Sequence, residues 1–105
     1  MLVALSEGTD GINASLVYGT DGALDELNLV VLEDPEHVPP VYLPAPVVRK
    51  AILDEYPEIR DILEPVFESL TLETLQTLNA QVAYDGLSAL AVAKAYLIDN
   101  GFIDE

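Results

Sequence analysis

Residues 16–50 read LVYGTDGALDELNLVVLEDPEHVPPVYLPAPVVRK, and the fold is decided by how this stretch is read. Tyr18 closes an apolar run. Gly19-Thr20-Asp21-Gly22 follows it, a set of residues that favours a turn, and Thr20 or Asp21 can cap a short helix carrying Ala23, Leu24 and Leu27. Leu29-Val30-Val31-Leu32 is a continuous apolar run of strand length, the pattern of a strand covered on both faces. Residues 33–46 then hold five of the seven prolines. Proline fixes φ and removes a backbone donor, so this part is expected to be an extended, irregular crossing with at most a short edge strand at Val41-Tyr42.

Upstream of that stretch, residues 1–7 read as the end of a helix with Gly8 as its stop, and Thr9-Asp10-Gly11 as a turn. Residues 12–18 alternate, placing Ile12, Ala14, Leu16 and Tyr18 on one face of an expected strand. Downstream the spacing becomes helical and predicts four helices. The first starts at Pro46 and carries Val47, Val48, Ala51, Ile52 and Glu55, until Tyr56-Pro57 breaks it. The second carries Ile59, Ile62, Leu63, Val66 and Phe67, with Pro65 expected to bend or end it. Thr71 caps the third, with Leu72, Leu75, Leu78 and Val82 on one stripe. Asp85-Gly86 turns the chain into the fourth, from about Ser88 to Asn100, with Leu90, Ala91, Leu97 and Ile98 as its stripe and Gly101 as its close.

The 105 residues suffice for one small domain and not for two. Half are apolar, enough for a core, and no apolar run is long enough to span a bilayer. Met1-Leu2-Val3-Ala4-Leu5 lacks a basic start and meets Ser6-Glu7-Gly8 early, so no signal peptide is expected. Without cysteine there are no disulfides, thiolate metal sites or cysteine nucleophiles. Two lone strands cannot shield each other's edges. The chain therefore reads as part of a larger sheet protein, or as one that gains strands by self-association.

Nineteen acids against four bases give a net charge of −15. Such a surface is a poor partner for nucleic acid or anionic lipid, which require clustered Lys and Arg. The acidity has two readings: a solvated, solubilising surface, or electrostatic attraction of a cationic ligand. Enzyme chemistry is poorly supported. Asp54-Glu55, Glu58 and Asp61 fall on solvated helix faces with no partner base, and the acids of residues 99–105 lack calcium-loop spacing. Gly8, Gly11, Gly19 and Gly22 match neither a phosphate loop nor a dinucleotide fingerprint. His37, the sole histidine, reads as an exposed loop residue. No cofactor or metal site is expected.

On the residues alone, Tyr18 and Tyr42 read as half-buried aromatics with hydroxyls reaching water, and Tyr56, Tyr84 and Tyr96 as packing residues. The order of motifs adds more. Tyr18-Gly19-Thr20-Asp21-Gly22, Leu29-Val30-Val31-Leu32-Glu33-Asp34, Pro39-Pro40-Val41-Tyr42 and Ala45-Pro46-Val47-Val48-Arg49 resemble, in sequence and order, the solute-binding proteins of ABC transporters for quaternary-ammonium osmoprotectants such as glycine betaine, choline and carnitine. Tyr56-Pro57-Glu58, Leu78-Asn79 and Asp85-Gly86 resemble that family's C-terminal end, whereas Val38-Pro39 stands where the family commonly has an aromatic pair.

The resemblance implies an α/β, helix-rich fragment of a two-lobed, type II periplasmic-binding-protein-like fold with few strands and four C-terminal helices. It implies that residues 1–34 end the second lobe and carry its strands. Residues 35–46 would be the inter-lobe crossing, and residues 47–105 the C-terminal helical part of the first lobe. Tyr18 and Tyr42 would be two walls of an aromatic cage for the cation, and Thr20 and Asp21 would serve the turn or contacts between lobes. A trimethylammonium group offers no N–H, so aromatic faces within about 6 Å must bind it. The implied partners are a quaternary-ammonium ligand, an ABC permease, the missing N-terminal part of the receptor and, for the fragment itself, a second copy. The implied location is extracytoplasmic. The alternative is a small acidic interaction domain that folds by self-association.

Overall fold

A computed structural model describes residues 1–38 and 43–104. The chain forms six α-helices among these residues: α1 (Leu2–Glu7), α2 (Ala23–Glu26), α3 (Lys50–Glu55), α4 (Glu58–Ser69), α5 (Leu72–Ala83) and α6 (Ala89–Asp99), with a 3₁₀ turn at Thr9–Gly11. The last four are the four helices expected from the spacing.

Their ends follow local chemistry. Gly8 stops α1 in the left-handed region at φ 64°, a conformation that costs glycine little. Tyr56 leaves the helical region at φ −128°, ψ 71°, as a residue before proline must, and α4 begins after Pro57. Thr71 Oγ1 accepts the Thr74 N–H at 3.2 Å, and Ser88 Oγ accepts that of Ala91 at 3.2 Å. Beyond α6 the Gly101 N–H donates to the Ile98 carbonyl and that of Phe102 to the Leu97 carbonyl, the paired bonds of a Schellman close.

Two helical details differ from expectation, and at Pro65, expected to bend or end its helix, the helix does not end. The first helix of the group starts at Lys50 rather than Pro46, because Arg49 is extended at ψ 134° and the β-branched pair Val47-Val48 has little helical preference. α4 runs through Pro65 to Ser69. Pro65 and Asp61 are both exposed, so water can satisfy the Asp61 carbonyl that the ring deprives of its donor. Finally, Val92 rather than Leu90 is the buried residue of α6, since Leu90 faces solvent.

The expected strands are also corrected. Among the described residues none is assigned to a strand: residues 12–18 and 29–32 are irregular and join no ladder. The reason is elementary, since a strand is defined by hydrogen bonds to a neighbouring strand and no ladder partner for these segments lies among the described residues. No backbone N–H of residues 13–17 or 30–36 donates to another backbone carbonyl among the described residues. Val41-Tyr42 lies outside the described residues.

The core is small and sits between α2, α5 and α6, where Ala23, Leu24, Ala80 and Val92 are buried. Gly22, just before α2, meets α5 closely. A Cβ there would stand 2.6 Å from the Asn79 carbonyl carbon and 2.7 Å from Ala80 Cα. Its φ of −62° is ordinary, so glycine is required by space and not by conformation. Tyr96 Oη, 2.7 Å from Ser69 Oγ, ties α6 to the end of α4.

The molecule is open. It exposes 8205 Å², whereas a compact 11.4 kDa monomer would expose about 5800 Å². Its radius of gyration is 17.2 Å, against about 13 Å for a compact domain of this length. Leu16 is 93% exposed, Val30 84% and Leu32 81%.

The tight contact at Gly22 generates a prediction. Gly22→Ala forces α2 away from α5 and is expected to destabilise the chain by about 1–3 kcal/mol, the cost of overpacking. Asp25→Ala on the exposed side of α2 should stay within about 0.5 kcal/mol of the parent. Urea unfolding followed by far-UV circular dichroism measures both.

Candidate functional site

Tyr18 stands at the head of a pinned turn. Its carbonyl accepts the Asp21 N–H at 3.0 Å, and the Asp21 carbonyl accepts the Leu24 N–H at 3.1 Å. Asp21 Oδ1 takes the Ala23 N–H at 2.9 Å, so this side chain serves the first turn of α2. α5 supplies the remaining support. Gln76 Nε2 donates to the Gly19 carbonyl and Asn79 Nδ2 to the Thr20 carbonyl, each at 2.6 Å. Thr20 thus bonds to α5 through its backbone. Leu72 lies under Gly19, its Cδ1 3.2 Å from where a Cβ would be.

The turn is held at the Gly19 and Thr20 carbonyls and at the Gly22 contact, yet Tyr18 remains 73% exposed. A fixed backbone carrying an accessible aromatic ring is what face-on recognition of a diffuse cation requires. Charge along the chain agrees. Residues 16–36 contain six acids and no Lys or Arg, so the field around the turn favours positive charge.

Of the expected site residues, Tyr18, Thr20 and Asp21 fall together in this turn, while Tyr42 lies outside the described residues. A groove of about 650 Å³ lies elsewhere: Pro44, Pro46, Leu53, Arg60, Leu63 and Phe67 are among the residues that line it. A second hollow of about 490 Å³ lies between α5 and α6. Tyr18 lines neither. Among the described residues no group of His, Asp or Glu could hold a metal ion, and no helix is long and apolar enough to cross a membrane.

The pinning residues Gln76 and Asn79 were not identifiable as such from spacing. Their only signal is position: they share one side of α5 at i and i+3, flanking the leucine stripe. An amide there reads as solvated until a carbonyl from 57 or 59 residues away is placed against it.

Comparison with known proteins decides the family. Residues 4–99 match the OpuAC family, the substrate binding domain of ABC-type glycine betaine transport system. The chain belongs to this family. It is 50% identical over 99 residues to the glycine betaine-binding protein YehZ of Escherichia coli, covering 94% of this chain and 32% of that protein. It is 38% identical over 86 residues to a glycine-betaine-binding protein of Pseudomonas aeruginosa, covering 82% of this chain and 28% of the relative. A third relative is the ergothioneine transport permease/ergothioneine binding protein EgtU of Helicobacter pylori, 42% identical over 86 residues that make up 82% of this chain and 16% of EgtU.

The solved structure of apo YehZ from E. coli superposes with a TM-score of 0.88 at 48% identity, over 97% of this chain and 36% of that one. The chain is thus a helix-rich portion of the periplasmic-binding-protein fold, as the motifs implied. It spans about a third of the length of the YehZ and Pseudomonas relatives it matches. Substrate-binding proteins of this family bind ligands and do not transform them.

Two amides hold the turn, and removing them tests the pinning. Gln76→Ala or Asn79→Ala leaves a turn carbonyl without its donor and should cost about 0.5–1.5 kcal/mol each in urea unfolding. Deuterium exchange of residues 21–24 should quicken in both variants. Exchange equal to the parent would show that the Gly22 contact alone fixes the turn.

Proposed function

We propose that the chain is part of the extracytoplasmic solute-binding component of an ABC importer for a quaternary-ammonium osmolyte. Tyr18 and Tyr42 contribute two walls of its aromatic cage. The supporting observation is the exposed Tyr18 ring on a backbone pinned by Gln76, Asn79 and Gly22, in a chain half identical to a glycine betaine-binding protein. Glycine betaine and ergothioneine, the ligands in the relatives' names, both carry a trimethylammonium group, so one mode of cation recognition serves either. The chain is not an enzyme in this reading, and its protein partner is the importer's permease.

Residues 1–34 end one lobe, residues 35–46 cross between lobes, and residues 47–105 belong to the other. On this division the Gly22–Ala80 contact joins sequence from the two sides of the crossing. It is the fixed point beside the hinge about which closure over a ligand would turn. Thr20 and Asp21 stand at that junction as turn residues rather than as ligand contacts.

A second reading, an acidic domain that folds by self-association, draws on the exposed apolar runs at residues 16 and 30–32. It predicts no osmolyte binding.

The test uses a chimera in which this chain replaces the matching segment of E. coli YehZ. Calorimetry should show glycine betaine binding by the chimera. Tyr18→Ala should weaken it about 10-fold or more, while Tyr18→Phe should stay within about threefold, because the ring face and not the hydroxyl carries the attraction. The chain alone should bind glycine betaine weakly or not at all. Unchanged affinity in Tyr18→Ala would remove Tyr18 from the cage, and micromolar binding by the chain alone would show that the cage is complete within it.

A further inference from the structure

The hydrogen bonds that hold the turn after Tyr18 are not equivalent. The turn's own bond, from the Asp21 N–H to the Tyr18 carbonyl at 3.0 Å, fixes how far apart its ends lie. It leaves open the path between them. That path runs through the Gly19–Thr20 peptide, the central one of the turn, and the Thr20 N–H makes no backbone hydrogen bond among the described residues. Gly19 adds more freedom than any other residue would, because it lacks a Cβ. A stiffer residue is poorly accommodated there, since its Cβ would stand 3.2 Å from Leu72 Cδ1. Restraint on the peptide beside Tyr18 therefore has to come from outside the turn.

Gln76 supplies it. Its Nε2 donates to the Gly19 carbonyl at 2.6 Å, and this bond is part-buried. Asn79 makes the matching bond to the Thr20 carbonyl at 2.6 Å, but that one is exposed, so water can take its place. The weight falls on Gln76. Its loss leaves a part-buried carbonyl without its donor and releases Gly19, the residue that separates Tyr18 from the restrained peptide.

We propose that Gln76 is a positioning residue for cation recognition: it acts without touching the ligand, by holding the Gly19 carbonyl and so the direction in which the Tyr18 ring faces. The inference rests on the assignment of Tyr18 to an aromatic cage. Without the Gln76 bond the ring has to be ordered during binding, and ordering one side chain costs about three- to tenfold in affinity. The loss cannot exceed that caused by removing the ring itself, because Gln76 acts through it.

The experiment is a double-mutant cycle in the chimera of this chain with E. coli YehZ, titrated with glycine betaine by calorimetry. Gln76→Met keeps the length of the side chain and removes its donor, and should weaken binding about three- to tenfold. In a Tyr18→Ala background the same substitution should change affinity by less than about twofold. A residue that only stabilises the fold would weaken binding equally in both backgrounds, and that outcome overturns the proposal. Gln76→Glu keeps the shape but turns an oxygen toward the Gly19 carbonyl, and should lose at least as much as Gln76→Met. Gln81→Met makes the same change on α5 at the hollow beside α6, and should leave affinity unchanged. Far-UV circular dichroism and thermal melting of each variant establish that folded protein is titrated. Unchanged affinity in both Gln76 variants, beside a weakened Tyr18→Ala, overturns this inference and leaves the cage standing. Unchanged affinity in Tyr18→Ala refutes the cage and the inference with it.

Discussion

The structure depends on a backbone-to-backbone approach. Gly22 lies against Asn79 and Ala80 so closely that no side chain fits between them. Among the described residues, the α2–α5 contact around it joins the two halves of the chain that a proline-rich stretch separates. Ala23, Leu24 and Ala80 are buried around it, and the Gln76 and Asn79 amides reach the turn carbonyls from the same face of α5. Small residues allow the approach, and the approach brings the amides within hydrogen-bond range. Packing and polar satisfaction thus reinforce each other at one point.

Functional consequence follows from that economy. A turn held from below by α5 can leave its leading side chain in solvent without losing its position, and Tyr18 is that side chain. A backbone already fixed before binding spares part of the ordering cost that association would otherwise carry. The acids that follow Tyr18 leave the turn itself unoccupied, apart from Asp21, whose carboxylate is engaged with the Ala23 N–H. Elsewhere the chain is loosely built: the helices of residues 50–99 share few buried contacts, and its apolar surface is largely turned outward.

Much of the helical architecture was legible residue by residue. Gly8, Tyr56-Pro57, Thr71, Ser88 and Gly101 each impose a local backbone outcome, and each element boundary falls where that outcome requires. The misreadings have separate causes. Pro46 as a helix start was outweighed by the weak helical preference of Val47-Val48 beside an extended Arg49, and Leu90 as a core residue by packing that buries Val92 instead. The two strands failed differently. Their sequences carry a strand pattern, but a ladder needs a neighbour that is not among the described residues.

The candidate site was legible in part. Tyr18 could be singled out because the Gly-Thr-Asp-Gly turn after it, and the order of the motifs beyond, resemble one family. Gln76 and Asn79 could not, because an amide on a helix gains its meaning only from the carbonyl it faces. By itself the sequence determined the family, the four C-terminal helices and their caps, since these rest on local stereochemistry and on motif order. Tertiary structure alone decided that Gly22 must be glycine, that α5 carries the turn, and that the strand sequences stand open. Those depend on residues more than 50 positions apart, or on whether a neighbouring strand is present, and no local pattern encodes them.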